Sequence, residues 1–343
     1  MSPAAPAALG ARHAPDLDAL VARLAERQPR ALGRAISVVE SGGAAQAELV
    51  RRLFGATGRA RTVGVTGPPG AGKSTLVDRL AAAARARGET VGILCVDPTS
   101  PFSGGALLGD RIRMQGLATD PGVFIRSMAT RGAMGGLARA TRDAVDLLDA
   151  AGFDWVLVET VGVGQDEVDV VESVDTVLVV AVPGLGDDIQ AIKAGILEIA
   201  DVFVLNKSDR EGADRAYRDL ALVLSLADHD ETSWLPPILK TVAPRAEGIA
   251  EVLEAVARHR AWMERSGRLA ERRRAQLRLR VETILKDRVL AAARERAGLD
   301  AALARGFEAR TDPYAIADQL FRGVLASEPG GGGEGSGGNG EGR

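Results

Sequence analysis

The chain has 343 residues, 46% of them apolar and 26% charged, with a formal net charge of -3. That balance suits a soluble globular protein and argues against a basic nucleic-acid-binding field, and an aromatic content of 3% leaves few platforms for base stacking. One cysteine, Cys95, excludes an intrachain disulfide framework and, with three dispersed histidines (His13, His229, His259), argues against zinc.

No signal peptide is expected from the first residues, and no run approaches the roughly 18 apolar residues of a membrane span. The expectation is a cytoplasmic protein with neither a membrane nor a nucleic-acid partner. Residues 1–15 read as a flexible N-terminus. Residues 16–59 carry helical periodicity, with Leu17, Leu20, Leu24, Ile36, Leu49 and Leu53 at helix-compatible spacing.

Residues 60–255 alternate β-branched runs with helical stretches. Strands are predicted over Thr62–Thr66, Val91–Val96, Val123–Ser127, Trp155–Glu159, Thr176–Val182, Val202–Leu205 and Ile238–Val242. Several are apolar throughout, as buried parallel strands are. Helices are predicted over Leu76–Arg87 and Gly136–Ala150. This is an α/β fold, a P-loop NTPase with a mostly parallel, covered sheet.

The first strand runs into Gly67-Pro68-Pro69-Gly70-Ala71-Gly72-Lys73-Ser74, with Thr75 next, and a helix-forming run follows. Strand, glycine-rich loop and helix in this order make a phosphate cradle. Backbone N–H groups and the helix N-terminus face the anion. Lys73 reaches the β- and γ-phosphates, and the Ser74 hydroxyl is a magnesium ligand. The loop alone does not distinguish ATP from GTP.

Asp97 ends the second strand, and Glu159 ends the strand before Gly162. Both carboxylates are candidates for direct or water-mediated contact with magnesium. Asp110, after the glycine-bearing stretch 104–109, is a further candidate for magnesium or water, with Arg113 as a switch residue nearby. Gly162 lets its loop approach the γ-phosphate. Val163 after it cannot orient water, so Asp110, Gln165 and Asp166 stand as alternatives for that task. The gap predicts slow turnover with a partner arranging the rest. A third mobile stretch carries Asp187, Asp188, Gln190 and Lys193 as switch candidates; Asp188 equally suits a helix cap.

Asn206-Lys207-Ser208-Asp209 ends a later apolar strand. A carboxylate there accepts from both the ring N–H and the exocyclic amine of guanine, a donor pair that adenine lacks. Asp209 therefore selects guanine, Asn206 tethers neighbouring loops, and the Lys207 stem covers the base. Ligands of such sheets bind beyond the carboxyl ends of the strands.

Residues 256–327 turn to Arg, Glu, Leu and Ala and read as helices. Leu269, Leu277, Val281, Ile284, Leu285 and Val289 form a stripe that needs a partner. Residues 328–343 are a glycine-rich tail with little to bury, expected to be disordered.

Together the stretches GPPGAGKST (67–75), VDPTSPFSGGALLGDRIRM (96–114), FIRSMATRGAMGGLARAT (124–141), VLVETVGVGQDEV (156–168), DDIQAIKAGILEIADVFVLNKSD (187–209) and HRAWMERSG (259–267) resemble the methylmalonyl-CoA mutase-associated GTPases of the MeaB/ArgK type. That family sits in the P-loop GTPase class that includes metal-insertion chaperones. Glutamate in place of the usual aspartate in Glu159-x-x-Gly162 carries much of the likeness.

The resemblance implies a homodimeric chaperone of an adenosylcobalamin-dependent acyl-CoA mutase, which gates cofactor loading and protects the mutase through GTP binding and hydrolysis. It places Lys73, Ser74, Asp97, Asp110 and Glu159 at the phosphates and Mg2+, Asn206, Lys207 and Asp209 at the base, and Gln190 and Lys193 in a third switch. The C-terminal helical arm becomes a dimerisation element. The family's last guanine loop usually reads Ser-Ala-Leu; here Thr241-Val242-Ala243-Pro244 stands instead, so the N–H of Val242 or Ala243 is expected at the guanine oxygen. A metallochaperone GTPase, an ATP-dependent kinase and a scaffold with negligible turnover are the alternative readings.

Overall fold

The computed structural model describes residues 16–97, 116–129, 136–160, 173–184, 199–226 and 233–326. The N-terminal tail, the glycine-rich tail and the stretches carrying Asp110, Arg113, Gly162, Gln165, Asp187, Asp188, Gln190 and Lys193 lie outside them. The chain divides into two compact units, Met1–Arg273 and Arg274–Arg343.

The first unit opens with helices α1 (Leu17–Ala25), α2 (Pro29–Ser41) and α3 (Gly43–Leu53). Asp16 caps α1, its carboxylate accepting from the Ala19 N–H at 3.1 Å. Pro29 begins α2, where its missing N–H costs nothing. Strands β1 (Arg61–Thr66), β2 (Val91–Asp97), β3 (Val123–Ala129), β4 (Trp155–Thr160), β5 (Thr176–Ala181), β6 (Val202–Leu205) and β7 (Ile238–Lys240) follow. Among the described residues they form one parallel sheet in the order β3-β2-β4-β1-β5-β6-β7. Helices α4 (Lys73–Ala86), α5 (Gly136–Ala150), α6 (Ala213–Ser225) and α7 (Ile249–Ser266) complete the layers.

All seven expected strands occur. The last is shorter than expected: Val242 leaves the sheet and instead forms an isolated antiparallel bridge with Glu247. The uniformly apolar strands are covered on both faces. Val177 and Val179 of β5 face the core built with α1–α3 and α5, while Leu178 and Val180 face the one built with α4 and α7. The period of two along a strand sorts alternate residues between these cores. Each fully buried Leu or Val contributes about 1.5–3 kcal/mol, so α4, with Leu76, Val77 and Leu80 buried, is firmly seated.

The junction before β1 is held by a single carboxylate. Asp149 at the end of α5 accepts from the N–H groups of Gly58 (2.5 Å), Arg59 (3.1 Å) and Ala60 (2.8 Å).

The opposite end of the sheet from the phosphate loop carries a second polar cluster. Asp175, just before β5, binds Arg260 at 2.9 Å and Arg273 at 2.7 Å. Asp201, just before β6, binds Arg272 at 2.9 Å and accepts from the Val177 N–H at 2.8 Å. His259 of α7 is buried between them, with Nδ1 3.0 Å from the Thr176 hydroxyl and Nε2 3.3 Å from Asp201. Those partners assign a neutral ring that donates through Nε2 and accepts at Nδ1. The rings of Trp234 and Trp262 lie 4.9 and 5.8 Å away.

Burial pushes the His259 pKa below 6.5; Arg272 pushes the same way, while Asp201 and Asp175 oppose it. A folded-state pKa below the unfolded one means the unfolded chain takes up the proton first. The stabilisation is therefore complete above pH 6.5 and is lost as pH falls through the folded value. Urea midpoints followed by tryptophan fluorescence should drop as pH falls from about one unit above to about one unit below the titration of an ordinary histidine, and the drop should shrink in His259→Gln.

The second unit contains the rest of α8 (Arg268–Glu295), α9 (Leu299–Glu308) and α10 (Pro313–Ala326). Leu277, Val281, Leu285 and Val289, four residues apart on α8, are all exposed, as are Phe307 and Tyr314. No helix among the described residues is long and apolar enough to cross a membrane.

Candidate functional site

The phosphate loop leaves β1 at Thr66 and re-enters regular structure at Lys73, the first residue of α4. Its glycines answer to position. Gly67 has φ 138°, and a Cβ there would run into the backbone carbonyl of Val180. Gly72 has φ 91°, and a Cβ would stand 2.5 Å from the Asn206 amide. Pro68, Pro69, Gly70 and Ala71 form the arch between them. Thr75 lies in the first turn of α4.

Lys73 is buried, and its ammonium donates to the carbonyls of Gly67 (2.8 Å) and Pro68 (3.1 Å). The charge thus sits under the arch, where a phosphate would meet it. The Ser74 hydroxyl donates to Glu159 Oε1 at 2.5 Å. Glu159 is buried at the end of β4, in register with Val65 of β1 and Cys95 of β2. Two hard oxygens meeting at a helix N-terminus suit magnesium, a cation that favours oxygen donors. Asp97 ends β2 opposite Ala129, and its side chain lies outside the described residues.

Sequence reasoning passed over a hydroxyl pair. Thr160, next to Glu159, donates to Thr66 Oγ1 at 3.2 Å, and both threonines are buried. The pair ties the end of β4 to the strand that launches the phosphate loop. A threonine directly after the motif acid and another directly before the loop glycine were the available signals.

Asn206 holds three segments at one point. Its amide nitrogen donates to the Ala71 carbonyl at 2.8 Å, and its Oδ1 accepts from the Thr241 hydroxyl (3.1 Å) and the Ala243 N–H (3.2 Å). Lys207, in the left-handed region at φ 56°, donates to the Gly70 carbonyl at 2.6 Å, which lays its stem along the loop. Ser208 donates to the Thr241 carbonyl through its N–H (3.1 Å) and its hydroxyl (3.0 Å). Asp209 stays partly exposed, 3.6 Å from Arg245.

The two N–H groups expected at the guanine oxygen have protein partners here. Val242 donates to the Glu247 carbonyl at 3.1 Å, and Ala243 to Asn206. The structure thus gathers Gly67–Thr75, Glu159, Asn206–Asp209, Val242 and Ala243 at the carboxyl end of the sheet, where ligands of such folds bind.

Known proteins agree with this arrangement. The profile of the family described as methylmalonyl Co-A mutase-associated GTPase MeaB matches residues 32–297. A putative GTPase of Pyrococcus abyssi is 50% identical over 314 residues, spanning 90% of this chain and 97% of that protein. GTPase ArgK of Escherichia coli is 37% identical over 265 residues, spanning 75% and 80%. A crystal structure described as a LAO/AO transport system kinase superposes with a TM-score of 0.69 at 27% identity, covering 90% of this chain and 97% of that one. With a phosphate loop, an Asn-Lys-x-Asp segment at the end of β6 and a family match over most of its length, the chain belongs to the methylmalonyl Co-A mutase-associated GTPase (MeaB/ArgK) family of P-loop GTPases.

Proposed function

We propose that this protein binds GTP with magnesium, hydrolyses it slowly alone, and uses the cycle to gate adenosylcobalamin loading into an acyl-CoA mutase and to protect that mutase, methylmalonyl-CoA mutase first among the candidates. The observation that carries the nucleotide part is the meeting of the Lys73 arch, the Ser74–Glu159 pair and the Asn206 node at one end of the sheet. The mutase part rests on the family to which the chain belongs.

In this reading Lys73 exchanges its loop carbonyls for phosphate oxygens. Ser74 and Glu159 hold the magnesium ion directly or through its waters. When bound, that ion neutralises charge building on the transferred phosphoryl group. Asp209 reads the base, and Asn206 keeps it in register with the phosphates. The exposed stripe Leu277, Val281, Leu285 and Val289 supports a homodimer built on the helical arm.

The test is GTP turnover with and without purified methylmalonyl-CoA mutase. Partner-supplied groups in this chemistry reach large factors, so stimulation by about tenfold or more is expected. Equal turnover in both reactions, together with no nucleotide-dependent change in cobalamin loading, would remove the mutase from the proposal.

A further inference from the structure

The base-reading acid has a companion to which nothing so far gives a role. Arg245 ends the short 3-10 turn Ala243–Arg245, whose backbone is pinned by the Arg245 N–H to the Val242 carbonyl at 2.9 Å. Its guanidinium is gripped on one side by Glu247, through Nε at 2.7 Å and Nη2 at 3.4 Å. The third nitrogen, Nη1, points the other way and stands 3.6 Å from Oδ2 of Asp209. Glu247 and then Asp209 hold Arg245 firmly in its charged form.

A guanidinium is a planar fork, so fixing two of its nitrogens fixes the direction of the third. The turn is itself set by the Val242–Glu247 bridge and by Ala246 at φ 56°. Val242 offers no side-chain hydrogen-bonding group. Among the described residues, Arg245 is the cation facing the Asp209 carboxylate.

We propose that Arg245, steadied by Glu247, is a positioning residue for guanine recognition: it holds one oxygen of Asp209 from the outer side so that the carboxylate plane meets the base edge. The inference rests on Asp209 reading guanine. It concerns the orientation of that carboxylate, not its identity.

Guanine needs both carboxylate oxygens, one for the ring N–H and one for the exocyclic amine. Hypoxanthine lacks the amine and needs one. A tilted carboxylate therefore harms guanine more than hypoxanthine. The cation is exposed, which limits the effect to the range of a surface ion pair.

The experiment is titration calorimetry of the full chain with GDP and with IDP. Arg245→Ala should weaken GDP about threefold to fivefold and IDP less than about twofold, narrowing the GDP-over-IDP preference. Arg245→Lys should recover part of that preference, and added salt should narrow it in the unaltered protein more than in Arg245→Ala. Tighter GDP binding by Arg245→Ala would overturn the proposal and make Arg245 a competitor of the base. Equal weakening of both nucleotides would overturn it in favour of simple loop support. Asp209→Asn is the control: if it leaves the preference for GDP over ADP intact, the base-reading assignment falls and this inference with it.

Discussion

Asp209→Asn is expected to weaken GTP binding by about a hundredfold to a thousandfold while leaving the fold intact. The carboxylate presents two acceptors to two guanine donors. The amide presents one acceptor and one donor, so one guanine N–H loses its partner and meets another N–H. An unmet polar group in a closed site costs about 1–3 kcal/mol, and more where charge is lost; sites built around such bonds discriminate strongly. Xanthine carries a carbonyl where guanine carries the amine, and it complements the asparagine amide. The same variant should therefore bind XTP better than GTP. Asp209 is partly exposed and its packing is slight, so thermal stability should stay near that of the unaltered protein. Competition of fluorescent GDP by GTP, XTP and ATP reads the result, and a variant that still ranks GTP first would remove Asp209 from base recognition.

Lys73→Ala should lower GTP turnover by about a hundredfold to a thousandfold, the loss seen when one preorganised donor to a developing anion is removed. The ammonium is buried beneath the arch and held by the carbonyls of Gly67 and Pro68, so its position is set before any nucleotide arrives. That preorganisation is what makes the loss large. Alanine suits the first turn of α4, so helix formation should survive. Single-turnover hydrolysis at saturating GTP isolates the chemical step from binding. Turnover within about tenfold of the unaltered protein would mean that the arch binds nucleotide without driving hydrolysis.

Sequence reasoning reached the sheet because parallel strands buried on both faces are written as local apolar runs. Strand ends were less legible. Val242 looks like a continuation of β7, yet its pairing with Glu247 depends on a turn whose geometry no local pattern announces. The helix after the phosphate loop begins at Lys73, ahead of the apolar periodicity that starts at Leu76, because the polar residues of its first turn bond to the loop and to Glu159 and carry no apolar pattern. Motif spacing singled out Lys73, Ser74, Glu159, Asn206 and Asp209, which the structure places at the carboxyl end of the sheet. The partners of those residues were hidden, since Ala71, Thr241 and Ala243 reach Asn206 across widely separated stretches of chain. His259 looked like one of three scattered histidines; its setting between Thr176 and Asp201 exists only after β5 and β6 pair.

The Asn206 node also bears on how nucleotide leaves. A buried side chain bonded at once to the phosphate arch and to the segment after β7 joins the two halves of the nucleotide cradle mechanically. In the proposed cycle, loosening one half would strain the other, so release is expected to be concerted and unaided exchange slow. A partner that pries either of the two segments from Asn206 would be expected to speed release from the whole cradle, which would make this amide the fulcrum on which an exchange-promoting protein acts.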